Sequence, residues 1–330
     1  MTQASTMRAV VLEDRDGPLR LVERPRPTPG PGEVLVRIRG SGLNPLDTKI
    51  RAGAAAHARH PFPAILGIDL AGVVEQVGPG VDGFRPGDEV YGMTGGVGGL
   101  QGSLADYAAV DASLLARKPA NLSMREAAAL PLAIITAWEG LVDRAQVRSG
   151  QKVLVLGGAG GVGHVAVQIA LARGAEVFAA DNPKRADFLR SLGATPIDYA
   201  RPVEDYVREH TGGLGFDIVY DTVGGSSLDA AFQAVRRHGH VVSALGWGTH
   251  ALAPLSFKGA TYSGIFTLDP LLSGEDRAHH GAVLAEAARL AEAGKLRPRL
   301  DPRPFSLETV EDAYAAITGK TAEGKVVVAV

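Results

Sequence analysis

Cysteine is absent from the 330 residues. That gap removes disulfides, thiolate zinc sites, iron-sulfur clusters and cysteine nucleophiles from consideration. Aromatic residues are scarce at 5%, and neither sign of charge dominates, since 34 Lys and Arg against 36 Asp and Glu leave a formal net charge of -2. A chain so balanced has no field to draw it onto phosphate backbones or anionic lipid, so neither nucleic acid nor a membrane is expected as a partner. No apolar run reaches the ~18 residues a membrane span needs. Met1 to Thr6 are small and polar rather than a targeting signal, and a cytoplasmic location is expected. What remains is the composition of a folded soluble protein, with 45% hydrophobic and 21% charged residues. At roughly 100 to 200 residues per domain, the length favours about two domains.

The first part of the chain reads as short strands with Gly and Pro punctuation. Met7 to Leu12 and Glu33 to Arg39 are strand candidates, the second with alternating Val34, Val36 and Ile38. Gly67 to Val77 and Asp88 to Tyr91 follow, each beside a Gly/Pro turn. Near Ser123 the texture changes: Ser123 and Glu126 form a capping-box pattern ahead of an Ala-rich helix predicted to run to Leu141. Beyond Gly150 the order becomes strand (152–156), helix (163–173), strand (176–180), helix (184–192), with further strands at 218–221 and 240–244. Such alternation predicts a parallel sheet with right-handed crossovers. A helix over 282–293 and a last strand over 325–330 complete the pattern, so an α/β block interrupts a β-rich domain built from both ends of the chain. The divisions expected are 1–122, 123–266 and 267–330.

Gly158, Gly160 and Gly163 have the spacing G-x-G-x-x-G, with Ala159, Gly161 and Val162 between them. Alone this is weak in a chain with 42 glycines. Its context strengthens it: a strand precedes it, a helix follows, and a second strand ends at Asp181 about 20 residues on, as a mononucleotide-binding unit requires. Gly158 suits the tight turn, Gly160 the close approach of a pyrophosphate, and Gly163 the packing of helix on strand. The helix start then offers free amides and a favourable dipole to the phosphates. No Gly-Lys-Ser or Gly-Lys-Thr closes this glycine loop, which excludes a Walker loop here and favours hydride chemistry over phosphoryl transfer. Asp181 suits a ribose 2′-hydroxyl and NAD(H), whereas Asn182, Lys184 and Arg185 suit a 2′-phosphate and NADP(H).

The segments Gly42-Leu43-Asn44-Pro45-Leu46-Asp47, Leu66 to Val74, Phe84 to Val90, Thr136-Ala137-Trp138, Gly157 to Gly163, Leu192-Gly193-Ala194, Asp221 to Gly224 and Gly324-Lys325-Val326 occur in one order along the whole chain. In that order and spacing the chain resembles the medium-chain dehydrogenase/reductase superfamily, specifically its zinc-independent, ζ-crystallin-like quinone oxidoreductase branch. The resemblance implies a GroES-like catalytic domain, a Rossmann domain, NADP(H) as the favoured cofactor with NAD(H) as the alternative, no zinc, and a homodimer or homotetramer. It places Asn44 and Asp47 at the substrate end of the site, Thr136 near the nicotinamide, and Thr222 and Val223 beside the cofactor. In zinc-dependent relatives the position of Asn44 carries a cysteine ligand and the neighbourhood of Asp69 a His-Glu pair; here both are non-ligands, so zinc-activated alcohol oxidation is not expected.

Without a metal, an acceptor that takes hydride at a conjugated position is the sensible substrate, and a quinone or an α,β-unsaturated carbonyl is expected. The sequence departs from the family where a tyrosine usually follows the Arg-x-Gly of Arg51 and Gly53, because Ala54, Ala55, Ala56 and His57 stand there instead. His57 and His60 are candidate proton donors, although a histidine in a loop is more often a surface residue. The glycine-rich stretch 95–102 reads either as a flap or as a simple loop. Trp247, Tyr262 and Phe266 read as core residues, with an edge strand near 262–266 available to pair across a twofold axis. Two other functions compete: a cofactor-binding redox sensor or scaffold with little turnover, and an alcohol dehydrogenase with a metal held by His57, His60 or Asp69.

Overall fold

The computed structural model describes residues 5–330, so most of the N-terminal stretch read as non-targeting lies outside the described residues. The chain divides into two units, one running to Leu132 and resuming over Leu268–Val330, the other spanning Ala133–Thr267.

In the first unit, β1 (Thr6–Leu12) and β2 (Leu19–Pro25) form an antiparallel ribbon. Then come β3 (Glu33–Gly42), α1 (Pro45–Arg51), β4 (Asp69–Val77), β5 (Glu89–Met93), β6 (Tyr107–Asp111), β7 (Leu115–Arg117), α2 (Met124–Ala128) and the start of α3 (Pro131–Trp138). The two-residue alternation in β3 puts Val34, Val36 and Ile38 on one face, where they are buried with Leu70, Val74 and Val90. β3 pairs antiparallel with both β4 and β6.

The second unit is the predicted parallel sheet. Its strands are β8 (Lys152–Leu156), β9 (Glu176–Asp181), β10 (Thr195–Asp198), β11 (Phe216–Asp221), β12 (Val235–Ser243) and β13 (Thr261–Gly264), in the order β10-β9-β8-β11-β12-β13. All the pairings are parallel. Counted from β8, that order is the 3-2-1-4-5-6 of a Rossmann fold. The helices α4 (Gly163–Ala172), α5 (Ala186–Leu192), α6 (Val203–Thr211), α7 (Ser226–Ala234) and α8 (Ala253–Lys258) lie between or after the strands. Leu154, Phe178, Ile197, Tyr206, Phe216 and Phe232 close part of its core. The chain then returns to the first unit with α9 (Asp269–Ser273), α10 (Arg277–Glu292), β14 (Phe305–Ser306), α11 (Val310–Thr318) and β15 (Val327–Ala329). No helix of the described residues is long and apolar enough to cross a membrane.

Several expectations change in detail. The helix predicted from Ser123 to Leu141 is broken, because Pro131 has no N–H to donate and disfavours a helical Leu130. α2 keeps its cap, with Ser123 N donating to Glu126 Oε2 at 2.8 Å. A wider π turn follows α3 over Glu139–Arg144. The stretch 95–102 is a tied loop rather than a flap: Gly98 N donates to Ala58 O at 2.8 Å and Gly102 N to Ile65 O at 2.9 Å. Trp247, Tyr262 and Phe266 are not core residues, being 55%, 37% and 37% exposed. Tyr262 instead sits on β13, the outermost strand of its sheet.

Candidate active site

Strand register in the first unit assembles a polar cluster. Gly42 at the end of β3 lies opposite Asp69 of β4 on one side and Val327 of β15 on the other. Asn44 stands two residues beyond Gly42 and Lys325 two residues before Val327, so the ladder brings Asn44, Asp69 and Lys325 together. Asn44 donates through Nδ2 to Asp69 Oδ2 at 3.0 Å and to Gly42 O at 3.3 Å. Lys325 Nζ donates to Asn44 Oδ1 and, at 3.2 Å, to Leu43 O. It stands 3.9 Å from Asp69 Oδ2. The other oxygen of Asp69 accepts the Leu132 amide at 2.8 Å, satisfying one of the free donors at the start of α3.

Asp47 joins the cluster from α1. Its Oδ2 accepts the Asn44 amide at 2.7 Å, the return half of a capping box, and its Oδ1 accepts Gly67 N at 3.3 Å. It is not a surface carboxylate, since both Asp47 and Asp69 are 0% exposed. Burial raises the Asp47 carboxyl to about 7 and also lifts that of Asp69, while burial lowers Lys325. Tyr314 of α11 adds a buried hydroxyl without a hydrogen-bond partner among the described residues, and burial first, then the charge of Asp47, keeps it protonated.

In the second unit the predicted cofactor residues gather at the C-terminal ends of β8, β9 and β11. The turn after β8 is made by Gly157, with φ of 76°, rather than by Gly158. Gly158 serves close packing: a Cβ there would lie 2.7 Å from Ala179 Cβ. One on Gly163 would lie 2.0 Å from Gly157 O, so the helix start can pack against the turn only without a side chain. Ala159 N donates to Asp181 Oδ2 at 2.9 Å, which ties the loop to the end of β9. Thr222 Oγ1 donates to Leu156 O at 2.7 Å. Asp221, which is buried, accepts Val223 N and Gly224 N at 3.1 Å and Ser243 Oγ at 2.7 Å, holding Val223 beside the turn.

A dinucleotide fits these residues. The amides of Gly161 and Val162 have no acceptor among the described residues, at the start of the ten-residue helix α4. Asn182 and Lys184 are exposed, and Asn182 Oδ1 accepts Lys184 N at 3.0 Å. Lys184 has no ion-pair partner among the described residues. Thr136 is buried on α3, where its carbonyl accepts the Tyr220 hydroxyl at 2.7 Å. The candidates thus form two groups, Asn44 and Asp47 in the first unit and the glycine loop with Asp181, Asn182, Lys184, Thr222 and Val223 in the second.

Sequence reasoning named Lys325 only as part of a family mark and assigned it no role. Its signal was a lone cation leading into the apolar run Val326 to Val330, because a lysine entering a buried strand needs a partner.

Comparison with known proteins agrees with this architecture. The family model "Alcohol dehydrogenase GroES-like domain" matches residues 30–120, and "Zinc-binding dehydrogenase" matches residues 192–328. A 2-methylene-furan-3-one reductase of Solanum lycopersicum is 40% identical over 305 residues, covering 90% of this chain and 71% of that protein. An NADPH-dependent alkenal/one oxidoreductase, chloroplastic, of Arabidopsis thaliana is 37% identical over 305 residues, covering 90% and 72%. The crystal structure of an alcohol dehydrogenase superfamily protein from Novosphingobium aromaticivorans is 62% identical, with a TM-score of 0.97 and coverage of 98% of this chain and 99% of that one. With its GroES-like segment, its Rossmann sheet and relatives of this identity and coverage, the chain belongs to the zinc-independent branch of the medium-chain dehydrogenase/reductase superfamily.

Proposed function

We propose that this protein is an NADPH-dependent reductase of α,β-unsaturated carbonyl compounds, with quinones as alternative acceptors. The observation that carries the reading is the glycine turn at the end of β8, whose unpaired Gly161 and Val162 amides open α4 in a 3-2-1-4-5-6 parallel sheet. The names of the tomato and Arabidopsis relatives support an enone or alkenal as acceptor and NADPH as donor.

When bound, the reduced nicotinamide supplies a hydride to the conjugated carbon. The residues of the chain do the rest. Gly161 and Val162 would donate to the pyrophosphate, Asp181 fixes the loop through Ala159, and Lys184 with Asn182 and Arg185 would hold the 2′-phosphate. Thr222 and Val223 border the cofactor, and Thr136 is assigned to the nicotinamide end. Asn44 and Asp47 are assigned to the substrate end. The Asn44 amide is already bonded to Asp69, Gly42 and Lys325, so its contribution there is a fixed dipole, whose value rests on its not reorganising during the reaction.

The test mixes purified protein with NADPH and trans-2-hexenal, following the nicotinamide absorbance and identifying the product. Hexanal is expected; an allylic alcohol as product, or no oxidation with any enone or quinone, overturns the reading. The assembly proposed is a homodimer, supported by the open outer edge of β13 and by the exposed apolar residues Trp247, Leu252 and Phe257 in the segments before it.

A further inference from the structure

The segment after α1 forms one wall of a cavity of about 350 Å³ in the first unit, within the size range of small-molecule sites. Two arginines, Arg15 and Arg59, both exposed, are among its lining residues. Arg15 is seated across Gly53: a Cβ on that glycine would lie 2.3 Å from Arg15 Cδ and Nε, and φ there is 66°. The positive φ favours glycine at 53, and a side chain there would push the tip of Arg15 aside. Arg59 occupies the left-handed region with φ of 47°, ending the short turn Ala56–Ala58. Arginine seldom adopts that conformation.

Neither guanidinium has a carboxylate partner among the described residues, although Arg51 nearby is paired with Glu311 at 2.6 Å. Both arginines are exposed, so water screens their mutual repulsion, yet together they favour an anion at the cavity over a cation or a neutral group. His60 is also in the lining. Its Nδ1 accepts Gly99 N at 3.2 Å, so in the neutral ring the proton is on the buried Nε2, on the side of the Ile65 carbonyl. Burial holds this ring below the usual histidine range, opposed only by the nearby Ile65 carbonyl. The remaining walls include Ile50, Pro61 and Phe62. An inorganic anion would leave those apolar surfaces unused, and a hydrocarbon would leave the cations unpaired.

We propose that this cavity binds a small organic carboxylate, its head group held by Arg15 and Arg59 and its apolar body packed on Ile50, Pro61 and Phe62. The site lies wholly in the first unit and needs no dinucleotide, so the inference goes beyond the reductase reading and stands apart from it. Ile50 lies one helical turn beyond Asp47 on α1, and both are buried. The cavity therefore adjoins the helix that carries a residue assigned to the substrate end.

Calorimetric titration of the full chain with sodium octanoate, and in parallel with 1-octanol, tests this. Octanoate should bind at least about tenfold more tightly than the neutral alcohol, as a charge-assisted pair requires. The R59G variant removes one guanidinium while relieving the left-handed backbone, so it should fold at least as well as the parent and bind octanoate about tenfold more weakly. R15M should weaken binding similarly. Undetectable octanoate binding, equal affinity for octanol, or unchanged affinity in folded R59G and R15M would overturn the proposal.

Discussion

Asp47, Asp69, Asn44 and Lys325 form a buried cluster in which each group is tolerable only because of the others. Lys325→Met strands the Asp69 carboxylate and leaves Asn44 Oδ1 without its donor. Loss of about 3–5 kcal/mol is expected in urea unfolding, with at least half recovered in K325M/D69N; a double variant as unstable as the sum of the singles would show that the two do not act as a pair. Asp47 gives a dependence on pH. Its carboxyl titrates near 7 in the fold against an ordinary 3.8, so the folded state binds the proton more tightly. The contribution to stability is then complete below about pH 4 and is lost as pH rises through about 7. Asp69, also raised, works in the same direction. Comparison with Asp47→Asn isolates the first term: the melting temperature of the parent should fall more steeply between pH 5 and 8 than that of D47N, and equal slopes would remove Asp47 as the cause.

The element that matters most is the β8 turn with the first residues of α4. Gly163→Ala puts a methyl 2.0 Å from a backbone oxygen, which cannot move aside as a side-chain tip could. The turn must open, and NADPH affinity measured by fluorescence titration should fall at least about tenfold; wild-type affinity would contradict the cradle. The glycine pattern and the strand–helix context that locate this turn were legible in the residues. The distribution of duties was not, because the positive φ belongs to Gly157, one position before the spacing motif, and Gly158 is fixed by Ala179 on a neighbouring strand. At the start of α5, the pair Lys184 and Arg185 is weakly engaged, Arg185 Nε standing 4.0 Å from Asp181 Oδ1. K184M/R185M should raise the KM for NADPH about 10–100-fold and leave that for NADH within about twofold, since a charge-assisted bond contributes ~1.5–3 kcal/mol. An equal effect on both cofactors would assign the two cations a general rather than a 2′-phosphate role.

For the molecule as a whole, β13 ends its sheet with Tyr262 partly exposed, and Phe257, at 84% exposure, stands in the preceding helix α8. An uncovered strand edge beside apolar side chains invites pairing with a second copy. Light scattering at micromolar concentration should give a dimer, and Phe257→Asp should shift it toward monomer without lowering the unfolding temperature of the subunit; a monomer at all concentrations would contradict the proposed assembly. The aromatic residues here read as core in the sequence because rarity and hydrophobicity point inward. Which strand lies outermost depends on the order of the whole sheet.

Local periodicity, turn chemistry and motif spacing were enough to read the strand–helix alternation, the glycine-rich turn between β8 and α4 and the absence of cysteine ligands, because each depends on neighbours a few residues apart. The buried cluster and the arginine cavity depend on partners brought in from far along the chain. Asn44 meets Lys325, which lies 281 positions further along the chain, and Arg15 meets Gly53 across a fold of the first unit. Such meetings follow from strand pairing and packing, and no span of a few residues encodes them.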